Sequence, residues 1–448
     1  MILPIKIEQS EERLTSLGGL LVLEEMAQAL QVWQRVDEQL AGPGSGRGYR
    51  ASQFVQPLVW MLHAGGRRLE DLRELRAEQE VLESLGLRAV PDAGTVGDWL
   101  RRQGEGGVAG MERVNRELIQ GALEEEGEEL ILDVDATEIE AEKQEAQWTY
   151  NHVQGYMPLL GYVNGVCVGQ EFRDGNVNPG AGILRFAQKC EAALPAGKRI
   201  YFRSDSAAYQ AEVIDHYSQP GRTFTITADL DVAVKREIQH LPESAWQPYG
   251  TADGLATDRQ IAETVHTMNQ SKQAFRLMVL RWLNPQPSLF EAERYCYHAV
   301  ASNREESAAE VIWKHNGRGQ SENWHKEVKL GLGMEQMPCG QFEANAMYFS
   351  IGVLAYNLAQ LLKRRVLPES YRTATLATLR WNVYRLAGKL VRHARGLILQ
   401  IKADTEKWLL LQSARLRCAY LKRRSPMKRQ PQHQKRVGVS TPACPKPP

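Results

Sequence analysis

Three acids occupy the kind of position where carboxylates do chemistry in an α/β chain. Asp135 closes the apolar run Leu130-Ile131-Leu132-Asp133-Val134-Asp135, and Asp205 follows the run Arg199-Ile200-Tyr201-Phe202-Arg203-Ser204. Neighbouring strand ends in a mixed sheet converge on one crevice, where ligands collect. Two carboxylates forced together there repel each other unless a cation lies between them, and hard divalent ions are the usual partner. A third acid, from a helix packed across that edge, completes a site for two ions. Such a pair activates a nucleophile and stabilises the leaving oxygen in an in-line displacement at phosphorus. Asp133 is a rival for the first place, because residues two apart on a strand face the same way; Asp135 lies nearer the strand end.

The third acid is Glu322, in His315-Asn316-Gly317-Arg318-Gly319-Gln320-Ser321-Glu322-Asn323-Trp324-His325-Lys326-Glu327-Val328-Lys329. Ser321 is positioned to cap this helix. His325, Lys326 and Lys329 share the face that Glu322 begins, at i+3, i+4 and i+7. That stripe has two readings: intrahelical salt bridging on a solvated surface, or an acid for metal with cations for the flanking phosphates. Among other candidates, His152, His240 and His298 are isolated and read as structural or solvent-facing. Trp282, at the end of a β-like run, reads either as a core residue or as a platform on which a base stacks.

These residues need elements to hold them. Residues 15–125 show helical periodicity, first at Leu20, Leu21, Leu23, Met26, Leu30 and Trp33, then at Phe54, Val55, Leu58, Val59 and Leu62 before Gly65-Gly66. Pro91-Asp92-Ala93-Gly94-Thr95-Val96 opens a short helix through Arg102, a weak match to a helix-turn-helix. From Glu129 the pattern predicts three strands (130–137, 157–166, 168–172), a helix (Ile183 to Leu194), a strand (Arg199 to Arg203) with Asp205 at its end, a short helix and a fifth strand (Phe224 to Ala228). Residues 231–303 hold the β-like runs Arg276 to Trp282 and Tyr295 to Val300, which read as an inserted β-rich module. Helical periodicity returns at Ala308–Trp313, Glu322–Leu330 and Phe342–Leu362, and residues 370–422 read as helical and basic.

Bulk properties narrow the class. The 448 residues suggest two to four domains. No apolar run is long enough to span a bilayer and the first residues lack an apolar signal region, so no membrane segment or signal peptide is expected. Six cysteines without CxxC pairing argue against a zinc ribbon or disulfide framework and fit a reducing, cytoplasmic setting. The net charge of +1 hides an asymmetry: residues 361–448 carry 21 Lys/Arg against 3 Asp/Glu, a balance of +18, and the first 360 carry −17. The basic end suits a polyanion, as a surface at 361–424 for DNA or dimerisation and as a disordered cationic arm at 425–448.

The spacing Arg318-x3-Glu322-x6-Lys329 resembles the Y-x2-R-x3-E-x6-K signature of the DDE transposases of bacterial insertion sequences. Asp135 in Asp-Val-Asp-Ala-Thr and Asp205 in Phe-Arg-Ser-Asp-Ser-Ala-Ala-Tyr are similar to that class's two catalytic aspartates, and the Ala-Thr after Asp135 favours it over Asp133. The hairpin GYMPLLGYVNG, the PDAGTVGDWL segment and FEANAMYF with AYNLAQLL extend the likeness over residues 15–365. His315 stands where the signature has tyrosine. The resemblance implies an α/β fold with an RNase H-like core. Its mixed five-stranded sheet with helices is split between 129–230 and 306–365 by a β-rich insertion at 231–305. Helical regions at 1–128, a candidate for DNA binding, and at 366–424, with the tail at 425–448, complete the chain.

It also implies a function: metal-dependent cleavage at transposon ends and strand transfer into target DNA, that is, cut-and-paste transposition. Asp135, Asp205 and Glu322 would hold two Mg2+ ions, with Mn2+ able to substitute. Arg318, Lys329, the extra cation Lys326 and His315 would contact end phosphates, and Trp282 would receive a flipped base. The implied partners are the terminal inverted repeats, the target duplex and a second copy in a dimeric synaptic complex, with the protein nucleoid-associated. The alternatives are an RNase H-like nuclease or resolvase that does not join, and a catalytically silent DNA-binding descendant.

Overall fold

The computed structural model describes residue 3 and residues 5–424, apart from 45, 47, 88, 286–293 and 394–395. The expected tail at 425–448 lies outside the described residues. A nine-stranded mixed sheet forms the centre. Its strands are β1 (Glu129–Ala136), β2 (Leu159–Val163), β3 (Val166–Glu171), β4 (Arg199–Ser204), β5 (Arg222–Ala228), β6 (Gln247–Gly250), β7 (Ala256–Thr267), β8 (Ala274–Leu283) and β9 (Tyr295–Ser302). Across the sheet the order is β6-β7-β8-β9-β5-β4-β1-β2-β3. β1, β4 and β5 run parallel to one another and every other pairing is antiparallel.

The five strands read from sequence are all present, with one boundary moved. β2 turns into β3 at Asn164-Gly165, inside the run read as a single strand. Both turn residues have positive φ, 49° and 85°, the geometry that suits a two-residue Asn-Gly hairpin. Gly161 and Gly169 sit opposite each other in this hairpin. A Cβ on either would lie 2.6 or 2.4 Å from the Cys190 sulfur, so the glycine pair forms the floor on which the helix Ile183–Glu191 rests.

Residues 231–303 differ from the separate module read from sequence. They begin with a helix, Val232–His240, capped by Asp231, and their strands continue the central sheet through the β9–β5 pairing. The twelve-residue β7 has a mainly polar sequence with few buried side chains, which hid it from a search for apolar alternation. A small sheet of Ile139–Glu140, Gln147–Trp148 and Gln154–Tyr156 stands between β1 and β2.

The helices include α1 (Leu20–Ala29), α2 (Ser52–Ala64), α3 (Ala93–Arg101), α4 (Gly104–Glu124), α5 (Ile183–Glu191), α6 (Ala211–Tyr217), α7 (Val232–His240), α8 (Ala308–Asn316), α9 (Gly319–Lys326), α10 (Phe342–Leu361) and α11 (Thr405–Arg424); α2, α3 and α4 pack around α10, and α1 packs on α11. α10 is buried on every side from Ala344 to Leu361, as expected of a helix apolar all round. Its polar residues cover the sheet edge: Asn357 accepts the Cys167 N–H at 3.0 Å and donates to the Cys167 carbonyl at 2.9 Å. An exposed edge strand is thereby closed.

Residues 366–424 correct the all-helical reading. Between short helical turns and α11 lies a hairpin of β10 (Gly388–His393) and β11 (Gly396–Ile401), joined to a two-residue strand at Leu14–Thr15. Gly388 and Leu390 are buried while Lys389 and Val391 beside them are only half-buried, a short alternation that the basic composition masks. Replacing Asn357 with Leu removes both partners of the buried Cys167 peptide groups. Chemical denaturation of the variant should show a loss of about 2–4 kcal/mol, with no change in the slope against denaturant.

Candidate active site

The site is built on the parallel pair β1 and β4. Asp133 stands opposite Arg203, and the two form a buried two-pronged ion pair with both N–O distances 2.7 Å. Their side chains are 1% and 9% exposed. The remaining Arg203 nitrogen donates to the Lys314 carbonyl at 2.8 Å, which fixes the end of α8 over the two strands. Gly317 makes room for this reach, since a Cβ there would lie 2.5 Å from the Arg203 Nη1.

Two residues further on, Asp135 and Asp205 point to the same side of the sheet. Asp205 is the first residue beyond β4; its backbone is extended, and its carboxylate accepts the Ala207 N–H at 3.0 Å. Arg318 Nη1 lies 3.3 Å from Asp135 Oδ2, and His325 Nε2 lies 3.9 Å from the same oxygen. Burial pushes the Asp135 carboxyl up to about 7; the Asp205 charge adds to this and that of Glu322 does so weakly, against the pull of Arg318. The three acids therefore feel one another, although they come from three separate stretches of chain. Glu322 is exposed in the first turn of α9.

Ser321 does not cap α9. The helix starts earlier, at Gly319, which leaves Ser321 buried inside the first turn. His325 is buried with both ring nitrogens lacking a hydrogen-bond partner, and its ring meets Tyr162 edge to face at 5.3 Å. Burial, then the charges of Lys329 and Arg318, hold its pKa near 3. It is a neutral imidazole, where the helix stripe alone suggested a surface cation. Lys326 is exposed, and Lys329 donates to the Glu138 carbonyl.

His315 does not reach the surface. It is 3% exposed, its Nε2 is 3.0 Å from the Thr227 hydroxyl, and burial lowers its pKa to about 3. The expected phosphate contact is replaced by packing against β5 and β9. Trp282 is half-buried on β8 with the Arg259 guanidinium 4.8 Å above its ring; it lies four strands from β1 and not beside the acids. The signals missed in the sequence are Arg203, readable as the residue two before Asp205, and Arg259.

Several cations of the basic end are committed to protein partners. Arg364 and Arg365 pair with Glu126 and Glu125. Arg380 donates to the carbonyls of Leu62, His63 and Gly331, Arg417 to those of Val366 and Leu367, and Arg415 binds Glu25. Among the described residues, no three Asp, Glu, His or Cys side chains already stand in a metal-chelating group, and no helix is long and apolar enough to cross a membrane. The oxygen-only donor set and the raised Asp135 suit a hard divalent cation, which relieves repulsion of this kind.

The family model described as Transposase DDE domain group 1 matches residues 3–420, and the chain belongs to that family. No curated protein matches the sequence. Among solved structures, the synaptic complex of piggyBac transposase with hairpin DNA is similar with a TM-score of 0.44 and 11% identity, covering 90% of this chain and 80% of that one.

The two aspartates of β1 should respond oppositely to loss of charge. Asp133→Asn leaves Arg203 buried and unpaired, which should cost about 3–5 kcal/mol. Asp135→Asn removes a repelled charge and should stabilise the metal-free protein at pH 8 by an amount on the order of 1–3 kcal/mol. Between about 4, where the unfolded carboxyl titrates, and about 7, the folded wild type keeps a proton that the unfolded chain has lost. Its stability therefore contains a term that falls as pH rises through this window and levels off above it. Thermal melts in chelator across that range should show this fall in wild type and its absence in Asp135→Asn.

Proposed function

We propose that this chain cuts DNA at the ends of a mobile element and joins those ends to target DNA, using an RNase H-like core. One observation carries the reading: Arg318, at the start of the helix that carries Glu322, lies 3.3 Å from Asp135 Oδ2, which brings that helix over the strands that lead to Asp135 and Asp205, acids 70 residues apart along the chain. The strand order β3-β2-β1-β4-β5, with β1, β4 and β5 parallel, supports that reading of the core.

Asp135, Asp205 and Glu322 would hold two Mg2+ ions, or Mn2+ in their place. When bound, such ions activate the attacking oxygen and stabilise the leaving one. The chain's own residues supply position and field. Arg203 and Asp133 fix the strand register beneath the acids, and Asp133 is unavailable as a ligand because Arg203 takes both its oxygens. Arg318 neutralises Asp135 in the metal-free protein and is free to grip an end phosphate once cations take over that charge. Lys326 faces solvent and adds a phosphate contact. Lys329, tied to the Glu138 carbonyl, steadies the strand leaving the site. Trp282 offers an aromatic face to a base leaving the duplex during second-strand processing. Holding two ends together calls for a second copy of the chain.

The test uses the full chain, Mg2+ and duplexes bearing the inverted repeats that flank its gene. Asp135→Asn, Asp205→Asn and Glu322→Gln should each reduce end nicking by about 10²–10³-fold or more while keeping end binding, and wild type should join pre-cleaved 3′ ends to a plasmid. Nicking by Asp205→Asn at the wild-type rate would overturn the site. Cleavage without joined products would make the chain a nuclease instead.

A further inference from the structure

Trp282 and the acids share one face of one sheet. Asp133 is opposite Arg203, Arg203 opposite Thr225, Thr225 opposite Ser302, and Ser302 opposite Arg276. Side chains alternate along each strand, so Asp135, Asp205, Thr227, Val300, His298 and Trp282 all project to that side. The packing of His315 agrees: from α8 it meets the Thr227 hydroxyl, and its ring lies 6.2 Å from that of His298. Along β8, Trp282 lies beyond the level of the acids, towards the end of the sheet where β1 and β4 terminate.

Two arginines, Arg318 half-buried and Arg259 exposed, bracket the ground between. Arg318 stands over Asp135. Arg259, exposed on β7, holds its guanidinium carbon over the Trp282 ring, 4.8 Å from the centroid. His298, between them on β9, has its pKa lowered first by burial and then by the charges of both Arg259 and Arg318. An aromatic face with a planar cation over it, joined by positive charge to a phosphoryl-transfer site, has the chemistry of a single-strand path.

We propose that Arg259 is a DNA-strand contact: it covers the Trp282 ring in the free protein and, when an unpaired base takes that ring, moves onto the adjoining phosphate. This rests on the DNA-end function proposed above. Base stacking outweighs an exposed cation–π contact, so the base displaces the guanidinium. The released cation then meets the nearest anion, which is the backbone of the same nucleotide. His298 lines the way from Arg318, and the strand crosses the sheet face beyond the end of α8.

The test measures binding of the full chain to its terminal-repeat duplex over a range of salt, with 2-aminopurine at the unpaired terminal positions. Arg259→Ala should lower the slope of log K against log salt by about 0.9, the value of one phosphate contact, and Arg259→Lys should restore it. Trp282→Ala should keep the wild-type slope but lose the 2-aminopurine quenching. A wild-type slope in Arg259→Ala would overturn the contact, and full quenching in Trp282→Ala would overturn the stacking. Asp205→Asn, assayed on the same duplex, separates the two levels. If it nicks as wild type does, the DNA-end reading fails; if it does not, an unchanged slope in Arg259→Ala condemns the Arg259 contact alone.

Discussion

Arg203 and Asp133 lie buried across the two parallel strands that carry the aspartates. A buried pair of this kind adds little net stability, because desolvation offsets most of the attraction; what it can supply is registration. A shift of one residue between β1 and β4 would leave both charges unpaired and turn Asp135 to the other face. The third arm of Arg203, on the Lys314 carbonyl, carries the same registration to α8. Arg318 and Glu322 follow within eight residues of that carbonyl, so their approach to Asp135 is set by an interaction with no part in the chemistry. The glycine at 317 is the local requirement of this tie.

The charge asymmetry of the sequence has a structural use beyond DNA attraction. Acids of the first 130 residues (Glu12, Glu25, Glu125 and Glu126) meet cations of the basic end (Lys389, Arg415, Arg365 and Arg364). Other cations there, Arg380 and Arg417, close helix-end and turn carbonyls. Cations whose donors are already committed in this way contribute less to a phosphate surface than their number suggests. Lys326, exposed on the helix of Glu322, comes instead from outside the basic segment.

Much of the fold was legible because its signals are local. The strands β1, β4 and β5 are short apolar runs, and the Asn-Gly turn and the Asp92 cap are dipeptide-scale features. What was not legible depends on partners distant in sequence. The choice between Asp133 and Asp135 turns on Arg203, seventy residues away, and no spacing rule shows which acid an arginine will claim. His315 and His325 read as surface groups because their own stretches of sequence are polar; they are buried because β5, β9 and Tyr162 pack over them. The hairpin at 388–401 was hidden by its Arg and Lys content and by apolar residues that fall side by side rather than in alternation.

The continuity of the sheet bears on how two chemically different positions stay in step. Residues 247–302 form four strands added to the edge at β5, hydrogen-bonded in register from β9 outward. A separate module on linkers would bring Trp282 to the acids over a range of distances, whereas strands of one sheet keep it at nearly one. Sites on strands are held more tightly than sites on loops. On the proposed path the element that must adapt is then the DNA: the strand crosses about four strand spacings, on the order of 19 Å, and also runs along the sheet, since Trp282 lies beyond the level of the acids. That span is several nucleotides of single strand, so the nucleotide that meets Trp282 is selected by its distance from the scissile phosphate, and the selection is made by sheet geometry before any base is read.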